Sequence, residues 1–216
     1  MIFGSISYLN LLPFQVYLKR VLSNSQLKQI INSKKSTPST INRAYKAKKI
    51  DAAFISSIKS RASKCTNLGI VSNGKVYSVL ILPKDDAFDS ESDTSNALSK
   101  VLNLNGEVII GDKALRYYLS NPNANFKDLS YEWKKKRGLP FVFARLCYNK
   151  HSKKIKKLAK NFKGKQEKIP QYILKKEAKS RGITPKELKW YLNFIDYKLG
   201  YKELKALKLF LKKAKQ

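Results

Sequence analysis

Uncharged polar side chains concentrate in four short segments, each beside a predicted strand end or helix start. The segments are Ser7-Tyr8-Leu9-Asn10, Thr37-Pro38-Ser39, Ser56-Ser57, and residues 90–95 after Asp89. Three of them lie near a predicted helix start, where free backbone N–H groups and a partial positive charge stabilise a carboxylate without a lysine. Any one segment is explained more simply as a helix cap. Together they predict a site that holds an acidic small molecule by hydrogen bonds.

The residue types that most enzymes use for nucleophilic or metal chemistry are scarce in this chain of 216 residues. The single histidine, His151, lies in a lysine-rich stretch, so pairs of histidine ligands are excluded and a Ser-His-Asp triad is not favoured. Cys65 and Cys147 are far apart in sequence and form no Cys-x-x-Cys pair. They are predicted to be two reduced thiols that form neither a metal site nor a disulfide. We therefore expect no metal and no cofactor.

Positive charge is the strongest feature of the composition. The chain has 45 Lys and Arg residues against 15 Asp and Glu, a formal net charge of +30, and so basic a protein is attracted to any polyanion. Lysines are spread along the chain and greatly outnumber arginines, whereas reading of base edges favours arginine forks. We interpret the lysines as a solvated surface whose field helps to draw in a small dianion. No specific nucleic-acid partner is expected, and a basic nucleic-acid-binding protein is the less favoured alternative.

Neither a membrane nor the export machinery is expected as a partner. No apolar run approaches the roughly 20 residues that a membrane helix needs. The sequence starts directly in an apolar strand, without the basic segment and small-residue cleavage site of a signal peptide. With 43% hydrophobic residues the chain is expected to be globular, as one large domain or two small lobes. We expect a cytoplasmic protein, and the sequence leaves open whether it is a monomer or a dimer.

Strands and helices alternate in the first part of the sequence and position the polar segments. The pattern predicts strands over residues 2–8, 27–31 and 50–55, with helices over 14–22 and 37–46. This β-α-β-α-β order predicts a mostly parallel sheet with helices on its faces. The polar segments then fall at the carboxyl ends of the strands, where such sheets bind ligands.

The middle and end of the chain predict further elements. Two strands joined by a turn are expected within residues 70–82, and Pro83-Lys84-Asp85-Asp86 then marks a crossing into a second lobe. The elements expected next are a helix over 92–104, a strand over 108–112, a helix over 113–119 and a core strand over 139–144 that returns to the first lobe. The remainder is predicted to be helical, with a capping box at residues 184–187 and a terminal helix packed through one apolar stripe.

The opening string Gly4-Ser5-Ile6-Ser7-Tyr8-Leu9-Asn10-Leu11-Leu12-Pro13 resembles that of the chorismate dehydratases of the futalosine route to menaquinone. Further segments are similar to that family in the expected order, so the resemblance covers nearly the whole chain. They are residues 38–39, 51–58, 72–79, 89–95, 110–115, 128–133 and 138–144. Single pieces such as Gly-Asp-x-Ala-Leu are generic, but the ordered set is specific.

The resemblance implies a fold and an activity. The fold is α/β, with two lobes like those of type-2 periplasmic binding proteins, mixed sheets, a ligand cleft between the lobes, and C-terminal helices packed on lobe 1. Lobe 1 is expected to comprise residues 1–84 and 140–216, and the smaller lobe 2 residues 85–139. The implied activity is cofactor-free conversion of chorismate to 3-[(1-carboxyvinyl)oxy]benzoate and water. Such a reaction suits a site poor in acids and bases, because aromatisation drives the loss of water and a substrate carboxylate can take the proton.

Candidate site residues follow from the resemblance and the polar segments together. Asn10 is expected to be catalytic, by orienting or hydrogen-bonding the reacting ring, and Tyr8 and Leu9 are expected to shape the wall. The residues expected to bind substrate are Ser39, Ser57, Ser72 and Ser78 from the first lobe, and Ser92, Thr94 and Ser95 at a helix start of the second lobe.

Four other residues of the matching segments are expected to be structural. Asp89 is predicted to brace its loop, and Asp112 to cap a helix. Phe141 and Phe143 are predicted to belong to the core.

Other functions remain open at this stage. A non-catalytic solute-binding protein of the same fold would keep the cleft without turnover, and a nucleic-acid-binding protein is suggested by charge alone. The sister enzyme that cleaves cyclic futalosine has a different opening motif, so Tyr8-Leu9-Asn10 disfavours it.

Overall fold

The computed structural model describes residues 1–22 and 35–215 of the chain. The strands are β1 (Phe3–Ile6), β2 (Lys35–Ser36), β3 (Ala52–Ser56), β4 (Cys65–Ser72), β5 (Val79–Leu82), β6 (Glu107–Ile110), β7 (Lys127–Asp128), β8 (Phe141–Tyr148) and β9 (Asp196–Lys198). The helices are α1 (Leu12–Val21), α2 (Pro38–Lys46), α3 (Asp93–Leu102), α4 (Gly111–Ser120), α5 (Leu129–Arg137), α6 (Ser152–Asn161), α7 (Gln171–Lys179), α8 (Pro185–Leu192) and α9 (Tyr201–Lys213). Short 3₁₀ turns lie at Leu9–Leu11, Ser57–Lys59 and Gly164–Gln166. The strand predicted over residues 27–31 lies outside the described residues.

Within the described residues there are two sheets, and the larger contains six strands in the order β2-β1-β3-β8-β4-β9. β1 pairs in parallel with β3, as the alternation of strands and helices predicts. It also pairs in parallel with β2, a strand that the sequence did not predict. β8 lies antiparallel between β3 and β4, and β9 pairs antiparallel with β4. Mixed sheets are therefore confirmed. The parallel pairing predicted from the first elements is limited to β2, β1 and β3, at one edge of the larger sheet. The position of β8 also confirms that the apolar run at residues 139–144 returns to the first sheet.

The smaller sheet contains three strands in the order β6-β5-β7, with β5 antiparallel to both neighbours. Both strands predicted within residues 70–82 are present, but they do not form a hairpin, because β4 belongs to the larger sheet and β5 to the smaller one. In the segment between β4 and β5, the backbone N–H groups of Val76 and Tyr77 donate hydrogen bonds to Asp128 at 2.8 and 2.7 Å. Tyr77 adopts a left-handed backbone with φ of 60°. The chain thus crosses between the sheets before Val79. The predicted lobe boundary after residue 84 assigns β5 to the first lobe, whereas β5 pairs only with strands of the smaller sheet.

Aromatic side chains fill the core on the larger sheet. Phe14 of α1 packs edge-on against Phe54 of β3 and against Phe162, with ring centroids 5.0 and 5.1 Å apart. Phe210 of α9 packs against Phe141 of β8 at 4.9 Å. The terminal helix is therefore packed through its apolar stripe, as predicted. In the described ranges, no helix combines the length and the apolar character needed to cross a membrane.

Helix starts follow the predicted capping residues. Thr184 and Glu187 form the reciprocal capping box of α8. The Thr37 side chain caps α2, and Ser92 caps α3 by accepting a hydrogen bond from the N–H of Ser95 at 3.1 Å. These local signals fix where the helices begin, and two of these starts prove to lie at the site described below.

Cys65 and Cys147 are joined by a disulfide. The prediction of two separate reduced thiols is therefore wrong. The cysteines are 82 positions apart in sequence, yet they are direct partners in the antiparallel ladder between β4 and β8. Strand pairing of this kind is not visible in the spacing of two cysteines.

Reduction of this disulfide is expected to lower the free energy of unfolding by about 2–4 kcal/mol, because the bond closes a long loop and so restricts the unfolded chain. Urea denaturation of the purified protein with and without dithiothreitol measures the change. In the double variant Cys65→Ser/Cys147→Ser the reductant should have no effect. A wild-type protein equally insensitive to the reductant would contradict the prediction.

Candidate active site

A cleft is lined by residues from both sheets. Ile6, Ser56 and Ile110 line it and are the last residues of β1, β3 and β6, while Val79 is the first residue of β5. The cleft has a cavity volume of about 60 Å³ in this structure and is partly open to solvent, so it is smaller than typical small-molecule sites. Sheets of this kind bind ligands at the carboxyl ends of their strands. The cleft therefore lies where the topology predicts a ligand site.

Asn10 lines the cleft from the 3₁₀ turn that follows β1. Its backbone carbonyl accepts a hydrogen bond of 2.7 Å from the hydroxyl of Tyr197, and complete burial raises the pKa of that phenol well above its usual value, so it stays a donor. The side-chain Oδ1 of Asn10 is buried, and no described residue hydrogen-bonds to it. Buried polar atoms are nearly always paired. An acceptor held in this way beside a cleft is available to a ligand.

Tyr8 lines the cleft next to Asn10 and joins its two sides. Its hydroxyl donates a hydrogen bond to Glu91, in the loop before α3. Burial, followed by the hydrogen bond and charge of Glu91, raises the pKa of the Tyr8 phenol above its usual range. Tyr8 is therefore a neutral phenol at physiological pH.

Three helix starts meet at the cleft. Pro38 is the first residue of α2, Gly111 is the first residue of α4, and Ser92 and Ser95 belong to the cap and first turn of α3. The Ser92 hydroxyl also lies 2.9 Å from that of Ser95. A helix start carries unpaired N–H groups and a partial positive charge, so it favours an anion. Convergence of three such starts makes the cleft suited to a carboxylate without a charged side chain.

Two further serines in the cleft are oriented by buried partners. The Ser78 hydroxyl accepts a hydrogen bond of 2.9 Å from Tyr191 of α8. The Ser56 hydroxyl accepts one of 2.7 Å from the Asn42 side chain, which accepts the Ser56 N–H in return at 3.1 Å. Each hydroxyl oxygen already accepts a hydrogen bond, so its own proton can be donated to a further partner. Both serines are therefore placed to act as donors.

Apolar side chains form the rest of the wall. They are Ile6, Pro38, Ile70, Val76, Val79, Ile110, Phe143, Ala144 and Ile195. None of the described residues that line the cleft is charged. A ligand there exchanges water for apolar contacts and a small number of fixed, neutral hydrogen-bond donors.

Five of the ten residues predicted for the site line this cleft, namely Tyr8, Asn10, Ser78, Ser92 and Ser95. The other five do not line it, and they are Leu9, Ser39, Ser57, Ser72 and Thr94.

Each of those five has another contact that explains its position. Leu9 is buried in the core, and the Ser57 hydroxyl donates to the carbonyl of Val142 at 2.6 Å. Ser72 donates within its own turn, Thr94 accepts from the backbone N–H of Ile58 at 3.3 Å, and the Ser39 hydroxyl lies 3.2 Å from that of Thr37.

The residues predicted to be structural divide in a similar way. Asp89 does brace its loop, by accepting from the N–H of Glu91 at 2.9 Å. Asp112 is not a helix cap, because Ile110 is the N-cap of α4 and the carboxylate binds elsewhere. Phe141 is core, whereas Phe143 lines the cleft.

Sequence reasoning missed several residues that shape the site. Ser56 was passed over for its neighbour Ser57, although Ser56 ends β3, whereas Ser57 begins the 3₁₀ turn and its hydroxyl is bonded to the Val142 carbonyl. Tyr191 and Tyr197 are invisible to any local motif because they reach the site from the C-terminal region. Gly111 has a left-handed backbone with φ of 63°, which the string Gly-Asp-Lys alone does not indicate.

Metal ligands do not cluster in the parts of the chain that the structure covers. Across residues 1–22 and 35–215, no three His, Cys, Asp or Glu side chains come together as a possible ion site.

Comparison with known proteins gives one family. A family model described as "Menaquinone biosynthesis" matches residues 1–107 and 103–216. A Campylobacter jejuni protein named chorismate dehydratase is 45% identical to the chain over 219 residues, which cover 100% of this chain and 98% of that protein.

Solved structures agree on the fold. An Archaeoglobus fulgidus protein has a TM-score of 0.70 and 12% identity, covering 99% of this chain and 96% of its own. The alkanesulfonate-binding protein of Xanthomonas axonopodis pv. citri, bound to MOPS, has a TM-score of 0.50 and 14% identity, covering 99% and 92%. At these identities the likeness concerns the fold alone, and it supports the two-lobed architecture of periplasmic binding proteins.

Proposed function

The chain belongs to the menaquinone biosynthesis family, and from this premise we propose that it is a chorismate dehydratase, which converts chorismate to 3-[(1-carboxyvinyl)oxy]benzoate and water. The observation that carries the proposal is 45% identity to a chorismate dehydratase over the whole length of both chains. The chemistry of the cleft is consistent with it, because chorismate is a dianion and the lining combines uncharged donors with helix starts.

Binding of the two carboxylates is assigned to the helix starts. The start of α3, with Ser92 and Ser95, receives one carboxylate through backbone N–H groups and hydroxyls. The starts of α2 and α4, whose first residues are Pro38 and Gly111, contribute the partial positive charge of a helix N-terminus toward the other. The positive charge of the whole protein adds a long-range attraction for the dianion.

Asn10 is assigned to the reacting part of the ring. Its unpaired Oδ1 and the amide of the same side chain can orient the ring and hydrogen-bond the departing C4 hydroxyl. Tyr8 forms the adjacent wall as a neutral phenol, and Ser56 and Ser78 supply further donors. No lining residue is a strong base, so a substrate carboxylate is the group we assign to take the C3 proton.

The same proposal places the enzyme in the cytoplasm, with no membrane partner and no specific nucleic-acid partner. The disulfide between Cys65 and Cys147 is then exposed to a reducing environment. Neither Cys65 nor Cys147 lines the cleft, so turnover is expected whether the disulfide is oxidised or reduced.

Incubation of the purified protein with chorismate tests the function. We expect chorismate to disappear and an aromatic enol ether, lighter by one water, to be identified by mass spectrometry. Saturable chorismate binding by folded protein without any product would instead indicate a solute-binding protein. Binding of a nonspecific DNA duplex with a steep salt dependence, without any effect of chorismate, would indicate a nucleic-acid-binding protein.

A further inference from the structure

The loop that carries Tyr8 and Asn10 lacks a side-chain cap of its own. Tyr8 is the N-cap of the 3₁₀ turn Leu9–Leu11, and its side chain makes no capping hydrogen bond. The backbone groups of this loop are instead satisfied by two charged residues distant in sequence. Those residues are Asp112, near the start of α4, and Arg181, in the turn after α7.

Three hydrogen bonds connect these residues in a ring. The backbone N–H of Leu9 donates to Oδ1 of Asp112 at 3.1 Å. Nε of Arg181 donates to Oδ2 of the same carboxylate at 3.0 Å, and Nη2 of Arg181 donates to the carbonyl of Ser7 at 2.8 Å. Tyr8 lies between the two backbone groups that are held. Both peptide planes next to Tyr8, Ser7–Tyr8 and Tyr8–Leu9, are therefore fixed from outside the loop.

We propose that Arg181 and Asp112 form a clamp that positions Asn10 and Tyr8 for the reaction. The inference rests on the proposed function and assigns a positioning role to two residues outside the cleft lining. Neither residue lines the cleft, so the clamp acts through the loop and does not contact substrate.

Charge and burial support this role over direct binding of an anion. The side chains of Arg181 and Asp112 are only 18% and 19% exposed. Arg181 also pairs with Glu177, so its one positive charge faces two carboxylates and is not available to a dianionic ligand. Burial raises the pKa of Asp112, while the Leu9 N–H and Arg181 oppose that change.

Arginine is required at this position by geometry. Its planar guanidinium donates in two directions at once, to the carboxylate and to the Ser7 carbonyl. Lysine keeps the charge but is a single point donor on a flexible stem. A shift of about 1 Å in a positioned group costs on the order of 100-fold in rate, so loss of one connection is expected to be visible in kcat.

The variant Arg181→Lys tests the clamp, with Asp112→Asn as a second variant. Each is expected to lower kcat for chorismate by roughly 10- to 100-fold with a much smaller change in KM. The matched control is Arg43→Ala, which removes an exposed arginine from α2 and is expected to keep the wild-type kcat. Thermal melting of all variants monitors folding.

A double-variant cycle separates positioning from general weakening. If Arg181 acts through Asn10, then Arg181→Lys costs little further activity in an Asn10→Ala background, because the positioned group is already gone. The same fold-loss in both backgrounds, or a wild-type kcat for Arg181→Lys, would overturn the clamp.

Amide hydrogen exchange tests the clamp independently of activity. The Leu9 amide is expected to exchange more slowly in the wild type and in Arg43→Ala than in Arg181→Lys. Equal exchange in all three proteins would overturn the clamp. Absence of chorismate turnover by the wild type would overturn the proposed function, and the exchange experiment would still decide whether the loop is clamped.

Discussion

Replacing Asn10 with alanine is expected to lower kcat for chorismate by about 10²- to 10³-fold, the usual cost of removing one preorganised hydrogen-bonding group from a site. Asn10 is the cleft residue whose buried side-chain oxygen has no hydrogen-bond partner among the described residues. The substitution deletes a polar group that contributes little to the fold, because the hydrogen bond from Tyr197 to this residue is made with its backbone carbonyl. We therefore expect the melting temperature to change little. Steady-state kinetics and thermal melting of the same preparation measure both effects.

The control for this prediction is Asn123→Ala, which changes an exposed asparagine away from the cleft. It should leave kcat and KM unchanged. An Asn10→Ala protein with a rate near that of the wild type would remove Asn10 from the mechanism. A variant that loses activity only together with its fold would show that the side chain is structural.

Replacing Gly111 with alanine is expected to lower kcat/KM by about 100-fold, because the added Cβ displaces a wall of the cleft. An ideal Cβ on Gly111 would lie 2.7 Å from two atoms of the Tyr8 ring, closer than any ordinary contact. The ring or the start of α4 must then move. Both belong to the proposed site, so the substitution is expected to disturb carboxylate binding and the position of the Tyr8–Asn10 loop together.

Gly138 provides a matched control for the backbone effect of this substitution. Gly111 and Gly138 have nearly the same left-handed conformation, with φ of 63° and 66°, but a Cβ on Gly138 would meet no atom within 4 Å. Both alanine variants are expected to lose roughly 1–2 kcal/mol of stability from the left-handed backbone. Only Gly111→Ala should lose activity. Equal kinetic effects in the two variants, or none in either, would contradict the role given to the contact between Gly111 and Tyr8.

Local signals in the sequence predicted much of the fold. The capping residues Thr37, Ser92 and Thr184 marked the starts of three helices correctly, because a cap involves residues only three positions apart. The parallel pairing of β1 with β3 also followed from the alternation of strands and helices. The caps were predicted because the interactions that decide them are short in sequence, and the pairing because a helix between two strands favours a parallel arrangement.

Contacts between distant segments could not be predicted in the same way. The disulfide depends on the placement of β8 beside β4, which decides that Cys65 faces Cys147. The two strands predicted within residues 70–82 exist but belong to different sheets, and Asp128, far along the chain, holds the backbone between them at Val76 and Tyr77. In both cases the deciding interaction is tertiary and leaves no periodic pattern in the sequence.

The sequence predicted which segments form the candidate site, but not which residue of each segment faces the cleft. The four polar segments identified the right strand ends and helix starts. Within one of them, however, Ser56 at the end of β3 lines the cleft, whereas Ser57 in the following 3₁₀ turn does not. Arg181 hydrogen-bonds to Ser7 across a separation of 174 residues. Support of this kind for the Tyr8–Asn10 loop becomes apparent only when the C-terminal helices are in place.

We propose that the cleft dehydrates chorismate with neutral protein groups and without a metal ion. Turnover by metal-free protein tests this proposal most directly. Wild type and Asn10→Ala would be dialysed against a chelator and incubated with chorismate, and the aromatic product followed by proton NMR. We predict that the wild type forms 3-[(1-carboxyvinyl)oxy]benzoate at its full rate after dialysis, and that Asn10→Ala forms about 10²- to 10³-fold less in the same time. Folded wild-type protein that leaves chorismate unchanged, or equal rates for the two proteins, would contradict the account.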